Sequence, residues 1–205
     1  MDIARIAELL KPFARLSESQ LRTTSIYIDI LQKWNARVNL TAIRDPEEIV
    51  TRHFGESYFS AQRLLHEDEA WAGTVVDLGS GAGFPGIPIA IFRPKASVIL
   101  VESNGKKAAF LGEVVSQLGL ANVEVFCGRG EAFGRKADLV VMRAVESFEL
   151  ALGVAAGLVN TCGRLGLLIG QSQVLAAKVQ EHRFQWHDPV SIPISKSRVL
   201  LVGNL

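Results

Sequence analysis

A carboxylate followed by a series of glycines is the part of this sequence best suited to chemistry. Asp77 lies near the end of an apolar segment that begins at Thr74, and Gly79, Gly81 and Gly83 follow at alternate positions. Glycine lets the backbone adopt a positive φ and lets a ligand approach the chain closely. The pattern predicts a buried strand, a tight binding loop and the start of a helix.

Two residues of this stretch discriminate between possible ligands. Residues 81–86 match the dinucleotide pattern G-x-G-x-x-G, which is a weak signal by itself. Pro85 lacks the amide that a pyrophosphate would use at a helix start, and Asp77 adds a negative charge at the strand tip. Both features favour a cofactor that carries positive charge beside a ribose, such as S-adenosylmethionine. The alternative for Asp77 is a carboxylate that only caps the turn.

Further cofactor-binding residues follow the next two predicted strands. Glu102 ends the second strand, where a carboxylate can accept hydrogen bonds from both ribose hydroxyls of a cofactor. Dinucleotide-binding folds share this feature, so it does not discriminate between the two kinds of cofactor. Gly130 and Glu131 follow the third strand and are predicted to meet the adenine, while Phe84 offers an apolar wall. The alternatives are a solvated strand end for Glu102, a surface acid for Glu131 and an ordinary core residue for Phe84.

The tip of the fourth predicted strand limits the possible reactions. It carries Arg143 and has no Asn/Asp-Pro-Pro-aromatic sequence, which is often used to methylate exocyclic amines. Methylation of pyrimidine C5 needs a cysteine nucleophile, and neither Cys127 nor Cys162 is at this tip. Guanine N7 has a free lone pair and no proton, so its methylation requires positioning more than a general base.

Arg143 is therefore the predicted catalytic residue, acting by positioning. A guanidinium there can hold a phosphate, a guanine edge or the cofactor carboxylate. The alternative is a surface arginine, or one that pairs with Glu146.

The pattern of elements brings these residues to one edge of a sheet. Residues 1–70 are predicted to be helical, with starts at Ser17 and at Asp45-Pro46, and the helix from Pro46 is expected to continue to Leu65. From Thr74 strands alternate with helices, which is typical of a doubly wound α/β sheet with ligands at the carboxyl ends of its strands. The predicted strands are Thr74–Leu78, Ser97–Val101, Asn122–Phe126, Asp138–Met142 and Arg164–Ile169, and the predicted helices of this part are 84–92, 105–118, 146–160 and 171–182. The tail is expected to add an antiparallel edge. We predict a helical extension at 1–70 and a cofactor-binding domain at 71–205.

Composition points to a cytoplasmic protein. The formal net charge is +1, hydrophobic residues make up 48% and there are two cysteines. The cysteines have no metal-ligand spacing and fit a reducing compartment, so we predict no metal. No apolar run reaches the length of a membrane span, and we expect a monomer that does not bind membranes.

Longer motifs carry a family resemblance. Residues 77–88, which end in the double-proline sequence Phe84-Pro85-Gly86-Ile87-Pro88, are similar to the signature of the bacterial small-subunit rRNA methyltransferase G family, also called glucose-inhibited division protein B. Residues 34–48, 102–111 and 141–144 resemble other motifs of that family. The resemblance covers about residues 20–170.

The resemblance implies a Rossmann-like class I methyltransferase with an N-terminal helical extension. It implies S-adenosylmethionine as cofactor, and methylation of N7 of one guanine in 16S rRNA, either free or in the small-subunit ribosomal particle. By position, the implied cofactor contacts are Gly79, Phe84, Gly130, Glu131 and Arg143, with Glu102 at the ribose. Asn39, in the polar elbow Asn39-Leu40-Thr41 between two predicted N-terminal helices, and His53 are implied on the RNA side.

The chain departs from the family pattern in places, so other functions stay open. Ile169 stands where the family usually has lysine, and the tail lacks the usual closing basic residue. The near-neutral charge keeps open a methyltransferase that acts on another RNA or a small molecule. The pattern at 81–86 with Glu102 keeps open a nicotinamide-dependent oxidoreductase, and Ile169 a ribosome-assembly module without turnover.

Overall fold

One mixed sheet organises the molecule, for which the computed structural model describes residues 1–65, 70–145 and 147–205. In these residues the sheet has eight strands, of which seven follow the order β3-β2-β1-β4-β5-β8-β6 and β7 also pairs with β8. The strands are β1 (Thr74–Leu78), β2 (Ser97–Glu102), β3 (Val123–Cys127), β4 (Ala137–Arg143), β5 (Val159–Gly170), β6 (Gln185–Trp186), β7 (Val190–Ser191) and β8 (Arg198–Asn204).

The doubly wound topology confirms the predicted fold class. Strands β1 to β5 pair in parallel, and β8 is antiparallel to β5, β6 and β7, as expected of the tail. The strand order reverses between β1, which continues to β2, and β4, which continues to β5. This is the switch point at which open α/β sheets bind ligands.

Helices cover both faces of the sheet. Near the N-terminus they are α1 (Ile3–Leu10), α2 (Glu18–Asn35), α3 (Pro46–Glu48), a π-helix (Ile49–Gly55) and α4 (Glu56–Leu65); within the sheet region they are α5 (Gly86–Phe92), α6 (Gly105–Leu118), α7 (Phe148–Gly157) and α8 (Val174–Gln180). Ser17 and Gln20 form the predicted capping box of α2, and Asp45 accepts a hydrogen bond from the Glu48 amide at 2.7 Å at the start of α3.

The helix predicted from Pro46 to Leu65 differs from a regular α-helix in its middle. Its predicted apolar stripe is buried as expected, with Val50, Phe54 and Tyr58 each 0% exposed. The segment Ile49–Gly55 is nevertheless π-helical, a widened geometry that is frequent at functional sites. The sequence periodicity cannot reveal it, because the apolar positions are buried in either geometry.

The boundary between α7 and β5 was predicted wrongly. The helix expected over 146–160 ends at Gly157, and β5 begins at Val159, which pairs with Ala137. A turn with Cys162 at φ +63° then lets the strand resume its pairing at Arg164. Tertiary pairing with β4 overrides the helical pattern here.

The alternation of side chains along each strand divides the core into two layers. Val75, on β1, shares a hydrophobic cluster with α1, α2, the π-helix, α4, α5 and α6 on one face. Val76 belongs to a second cluster with α7 and α8 on the other face. Period-two alternation therefore directs Asp77 to the same face as Val75. The helices of residues 1–65 share one hydrophobic cluster with the first face of the sheet, so they are fixed relative to the strand tips.

Candidate active site

A cavity of about 750 Å³ lies at the carboxyl ends of β1 to β4. Its volume is in the range of small-molecule sites. Eight residues that the sequence singles out line it: His53, Gly79, Gly81, Phe84, Glu102, Gly130, Glu131 and Arg143. Asp77, Gly83 and Asn39 are not among the lining residues.

The glycine loop at residues 79–83 forms one wall of the cavity. Two of its lining residues have a left-handed backbone. Gly79 has φ +71° and Gly81 φ +58°, values that side-chain-bearing residues rarely adopt. A Cβ on Gly79 would also lie 2.8 Å from Val145 Cγ1. The loop is therefore tight against the segment that follows β4.

Glu102 is fixed at the end of β2 by backbone amides. Its Oε2 accepts a hydrogen bond from the Gly81 amide at 2.8 Å, and its Oε1 accepts one from the Asn104 amide at 2.7 Å. Each oxygen retains a second lone pair, and the residue lines the cavity although it is only 6% exposed. A carboxylate held in this way can accept further hydrogen bonds from a diol.

The loop after β3 depends on the absence of a side chain at Gly130. A Cβ there would lie 2.5 Å from Leu78 Cδ1 and 2.9 Å from Val154 Cγ1. Glycine thus lets this backbone approach the strand tip closely at the cavity wall. Glu131, the next residue, lines the cavity and is exposed.

Asp77 is placed differently from the expectation that it faces a bound cation. Its side chain is fully buried below α5, where Oδ2 accepts a hydrogen bond from the Gly86 amide at 2.9 Å. Oδ1 has no hydrogen-bond partner among the described residues, and burial raises the pKa of Asp77 to about 7. The reason is strand alternation, which directs residue 77 into the helix-covered face. In the structure Asp77 caps the turn, which was the alternative.

Gly83 serves packing. It has φ +85°, and a Cβ there would lie 2.4 Å from the hydroxyl oxygen of Tyr27. That hydroxyl donates a short hydrogen bond to the Ala82 carbonyl. Gly83 thus allows α2 to approach the loop closely.

The start of α5 offers little to a phosphate group. Residue 85 is proline and has no amide hydrogen, and the Gly86 amide is already bound by Asp77. A pyrophosphate at this position would have to compete with a buried carboxyl group. This geometry argues against the nicotinamide alternative.

Aromatic rings form the wall opposite the sheet. His53 stacks on Phe84 with centroids 4.9 Å apart, and Phe84 stacks on Tyr27 at 5.5 Å. Phe54 meets both Tyr27 and Phe84 edge-on, at 5.0 Å each. Phe84 thus belongs to the core and also lines the cavity. Its contact with a cofactor stays a prediction.

His53 is a neutral link between Arg143 and the elbow. Arg143 Nη2 lies 3.1 Å from His53 Nδ1, and because a guanidinium can only donate, Nδ1 must accept. The proton is then on Nε2, which lies 2.7 Å from Thr41 Oγ1. Burial and the positive charges of the surrounding arginines lower the pKa of His53 to about 3. Both ring nitrogens are therefore engaged.

Arg143 is anchored rather than exposed at the tip of β4. Its side chain is 7% exposed, and Nη2 donates to the Arg52 carbonyl at 2.8 Å and lies 3.3 Å from Glu56 Oε2. Burial lowers the pKa of Arg143 to about 10, against the opposing effect of Glu56. The alternative partner, Glu146, lies outside the described residues.

Comparison with known proteins identifies the family. The family model described as rRNA small subunit methyltransferase G matches residues 20–199. The protein of that name from Roseiflexus castenholzii is 38% identical over 92% of this chain and 84% of its own. The chain belongs to this family.

Two further comparisons agree with the family membership. Ribosomal RNA small subunit methyltransferase G of Nitrosomonas europaea is 48% identical over 60% of this chain, and the match spans 56% of that relative's length. An S-adenosylmethionine-dependent methyltransferase from Aquifex aeolicus has a TM-score of 0.62 at 15% identity, covering 86% of this chain and 97% of its own. The fold is that of the class I S-adenosylmethionine-dependent methyltransferases.

The elbow of this family member is organised by a residue that the sequence did not single out. Asn35 Oδ1 accepts hydrogen bonds from the Leu40 and Thr41 amides, both at 3.0 Å. Asn39 is exposed and its Oδ1 accepts a hydrogen bond from Arg44 at 3.2 Å. Its assignment to the RNA side stays a prediction.

Other residues of the site were also missed. Thr41 contacts His53, Glu56 contacts Arg143, and Arg198 contacts Glu56. No local motif announces these contacts, because the partners are distant in sequence. Ile169, the departure from the family pattern, is 4% exposed at the end of β5.

The part of the chain that the structure describes includes both cysteines. Cys127 and Cys162 are exposed and free. Within that part, no group of three His, Cys, Asp or Glu could hold a metal ion, and none of its helices has the length and hydropathy of a membrane span.

Proposed function

We propose that this protein transfers a methyl group from S-adenosylmethionine to N7 of a guanine in the 16S rRNA of the small ribosomal subunit. The proposal is supported by family membership and by one observation above all. The cavity at the switch point has a fixed carboxylate and a close backbone approach at Gly130, and the start of α5 leaves no amide free for a phosphate. That set of groups suits a nucleoside cofactor with positive charge.

The residues that would hold the cofactor follow from the cavity wall. Glu102 would accept the ribose hydroxyls, and Gly130 with Glu131 would flank the adenine. Gly79, Gly81 and Phe84 would surround the amino-acid part, with Arg143 near its carboxylate or near the acceptor. When bound, the cofactor supplies an electrophilic methyl group on a sulfonium.

The preference for guanine N7 is supported by the absence of a free base among the described cavity residues. His53 has both nitrogens engaged, and the two oxygens of Glu102 accept backbone amides. Glu131 is exposed, so its carboxylate is solvated. An acceptor with a free lone pair and no proton to lose needs only orientation and exclusion of water.

Cations at the mouth of the cavity support RNA as the acceptor: Lys107 is half-buried, and Arg129 and Arg44 are exposed. Lys107 and Arg129 line the rim, and Arg44 lies beside the elbow at Asn39. We assign the RNA side to this rim, together with Asn39 and His53. The protein is proposed to act in the cytoplasm as a monomer.

A methyl-transfer assay tests the proposal. Purified protein, labelled S-adenosylmethionine and small subunits that lack the modification should give label in 16S rRNA, and naked 16S rRNA serves as the second substrate. Transfer should decline steeply as salt rises, because phosphate contacts release counterions. Absence of label in both substrates would overturn the proposal. Salt-independent transfer to a small molecule would favour the alternative acceptor.

A further inference from the structure

Glu56 is a buried carboxylate that lies behind the cavity. It is the first residue of α4 and is 1% exposed. Its Oε1 accepts a hydrogen bond from Arg52 Nε at 3.2 Å. Its Oε2 lies 3.3 Å from Arg143 Nη2 and 3.0 Å from Arg198 Nε. One carboxylate is therefore shared by three guanidinium groups.

The charges of this cluster do not balance. Three cations face Glu56 and one further acid, Glu48, whose Oε1 lies 3.7 Å from Arg52 Nη1. His53 adds no charge because it is neutral. A buried charge is costly unless it is paired. Without Glu56, the guanidinium of Arg143 would be left near those of Arg52 and Arg198.

The hold of Glu56 on two of its partners is electrostatic. Oε2 makes no hydrogen bond of acceptable geometry, and neither do Arg143 Nε and Arg198 Nε, among the described residues. These atoms are buried, so they cannot contact an external anion without movement. The cluster therefore acts on the site through position rather than by binding a ligand itself.

Arg198 connects the cluster to the segment after β4. It begins β8 and lines a small cavity of about 50 Å³, together with Ile169, Gly170 and Gln173. Ala144 and Val145 line both this cavity and the large one. One carboxylate thus fixes both arginines that flank the tip of β4.

We infer that Glu56 is a positioning residue for methyl transfer, because it holds Arg143 against the cofactor cavity and Arg198 against the segment that follows β4. The inference rests on the proposed function. Glu56 touches neither the cofactor cavity nor the rim, so its effect passes through the two arginines. Since the hold is electrostatic, the charge of residue 56 matters more than its shape.

Two variants separate charge from shape. Glu56→Gln keeps the size of the side chain and removes the charge, whereas Glu56→Asp keeps the charge on a shorter chain. Glu124→Gln is the matched control, because Glu124 is an exposed carboxylate that binds both Nη atoms of Arg135. Each protein is measured for melting temperature, for affinity for S-adenosylhomocysteine by calorimetry, and for kcat and KM of methyl transfer.

We expect Glu56→Gln to lower kcat and to weaken S-adenosylhomocysteine binding, each by roughly tenfold to 100-fold, the size expected when a charged group is misplaced by about 1 Å. Glu56→Asp should recover most of both losses, and Glu124→Gln should match the parent. Parent-like values for Glu56→Gln, or equal losses in Glu56→Asp and Glu56→Gln, would overturn the inference. If the parent transfers no methyl group, the proposed function fails, while the S-adenosylhomocysteine measurements still test Glu56.

A mutant cycle covers the case in which Glu56→Gln does not fold. In a background that carries both Arg143→Gln and Arg198→Gln, the two cations through which Glu56 acts are removed together with the acid. If Glu56 acts through these two arginines, adding Glu56→Gln there should change S-adenosylhomocysteine affinity by less than about twofold, since coupled residues are non-additive. A full additional loss in that background would show an independent role and contradict the inference.

Discussion

The two halves of the cavity are built in different ways. On the side of β1 to β3, backbone amides, glycines and one carboxylate meet within short stretches, as in the hydrogen bond from the Asn104 amide to Glu102. On the side of β4, Arg143 meets His53 across 90 residues of sequence. The first half can be recognised from motifs, whereas the second exists only after folding. We assign cofactor binding mainly to the first half and orientation of the acceptor to the second.

The largest expected effect breaks the second half. Arg143→Ala should reduce methyl transfer by about 100-fold or more, because a positioned charge beside the reacting groups is lost. Rates with unmethylated small subunits measure this. Arg135→Ala, at an exposed ion pair with Glu124, is the control and should leave the rate unchanged. A loss of folding in Arg143→Ala that accounts for the whole decrease would mark Arg143 as structural.

A Cβ at Gly130 tests the role of the first half in cofactor binding. Gly130→Ala should weaken S-adenosylhomocysteine binding by about tenfold, since overpacking against Leu78 and Val154 costs about 1–3 kcal/mol. Calorimetry provides the affinity. Gly112→Ala, where a Cβ meets nothing within 4 Å, should bind normally and gain a little stability as a helix-interior substitution. Equal affinities for both variants would show that cofactor binding does not depend on the close backbone approach at Gly130.

The neutral state of His53 gives a pH test of the second half. Its lowered pKa means that the folded protein binds a proton there only below about pH 3, whereas the unfolded chain binds one below its ordinary value. Stability should therefore decrease as pH falls through the window between those values, and His53→Gln should lessen the decrease. Nitrogen NMR shifts of the imidazole should report the Nε2–H tautomer at pH 5. A charged ring at that pH would exclude the proposed link to Arg143.

The smallest expected effect on binding is at Asp77. Asp77 lies below α5 and not in the cavity wall. Asp77→Asn should therefore change S-adenosylhomocysteine affinity by less than about threefold, which is less than the loss of one hydrogen bond to a charged group would cause. Its pKa of about 7 is raised, so ionisation of the folded protein costs stability as pH rises from about 4 to 7. Urea denaturation should show Asp77→Asn gaining on the parent across that window. A large loss of affinity would return Asp77 to the cofactor site.

The sequence predicted the first half because its elements are local. The succession of an apolar strand, a glycine loop and a helix start predicted β1 and its loop. Glu102 was predicted at the end of β2. The sequence did not anticipate the burial of Asp77, because whether a residue at a strand end faces the ligand or the core depends on register and on the helix above it. Periodicity alone could not decide this.

Arg143 and His53 of the second half were singled out from the sequence, but the residues that hold them in place were not, for a physical reason. Thr41, Glu56 and Arg198 acquire their role from ion pairs and hydrogen bonds that form only when the helices dock on the sheet. His53 lies in the π-helical segment and Glu56 directly follows it. The apolar stripe of this segment looks like that of an ordinary helix. The contacts that hold Arg143 and His53 in place therefore had to be found in the structure.

The central claim is tested most directly by mapping the methyl group in 16S rRNA after reaction with unmethylated small subunits. Mass spectrometry of nuclease digests, with aniline cleavage at 7-methylguanosine, identifies both the nucleotide and the atom. The account predicts one guanine, modified at N7. A methyl group on another atom or base, or on no ribosomal nucleotide at all, would contradict it.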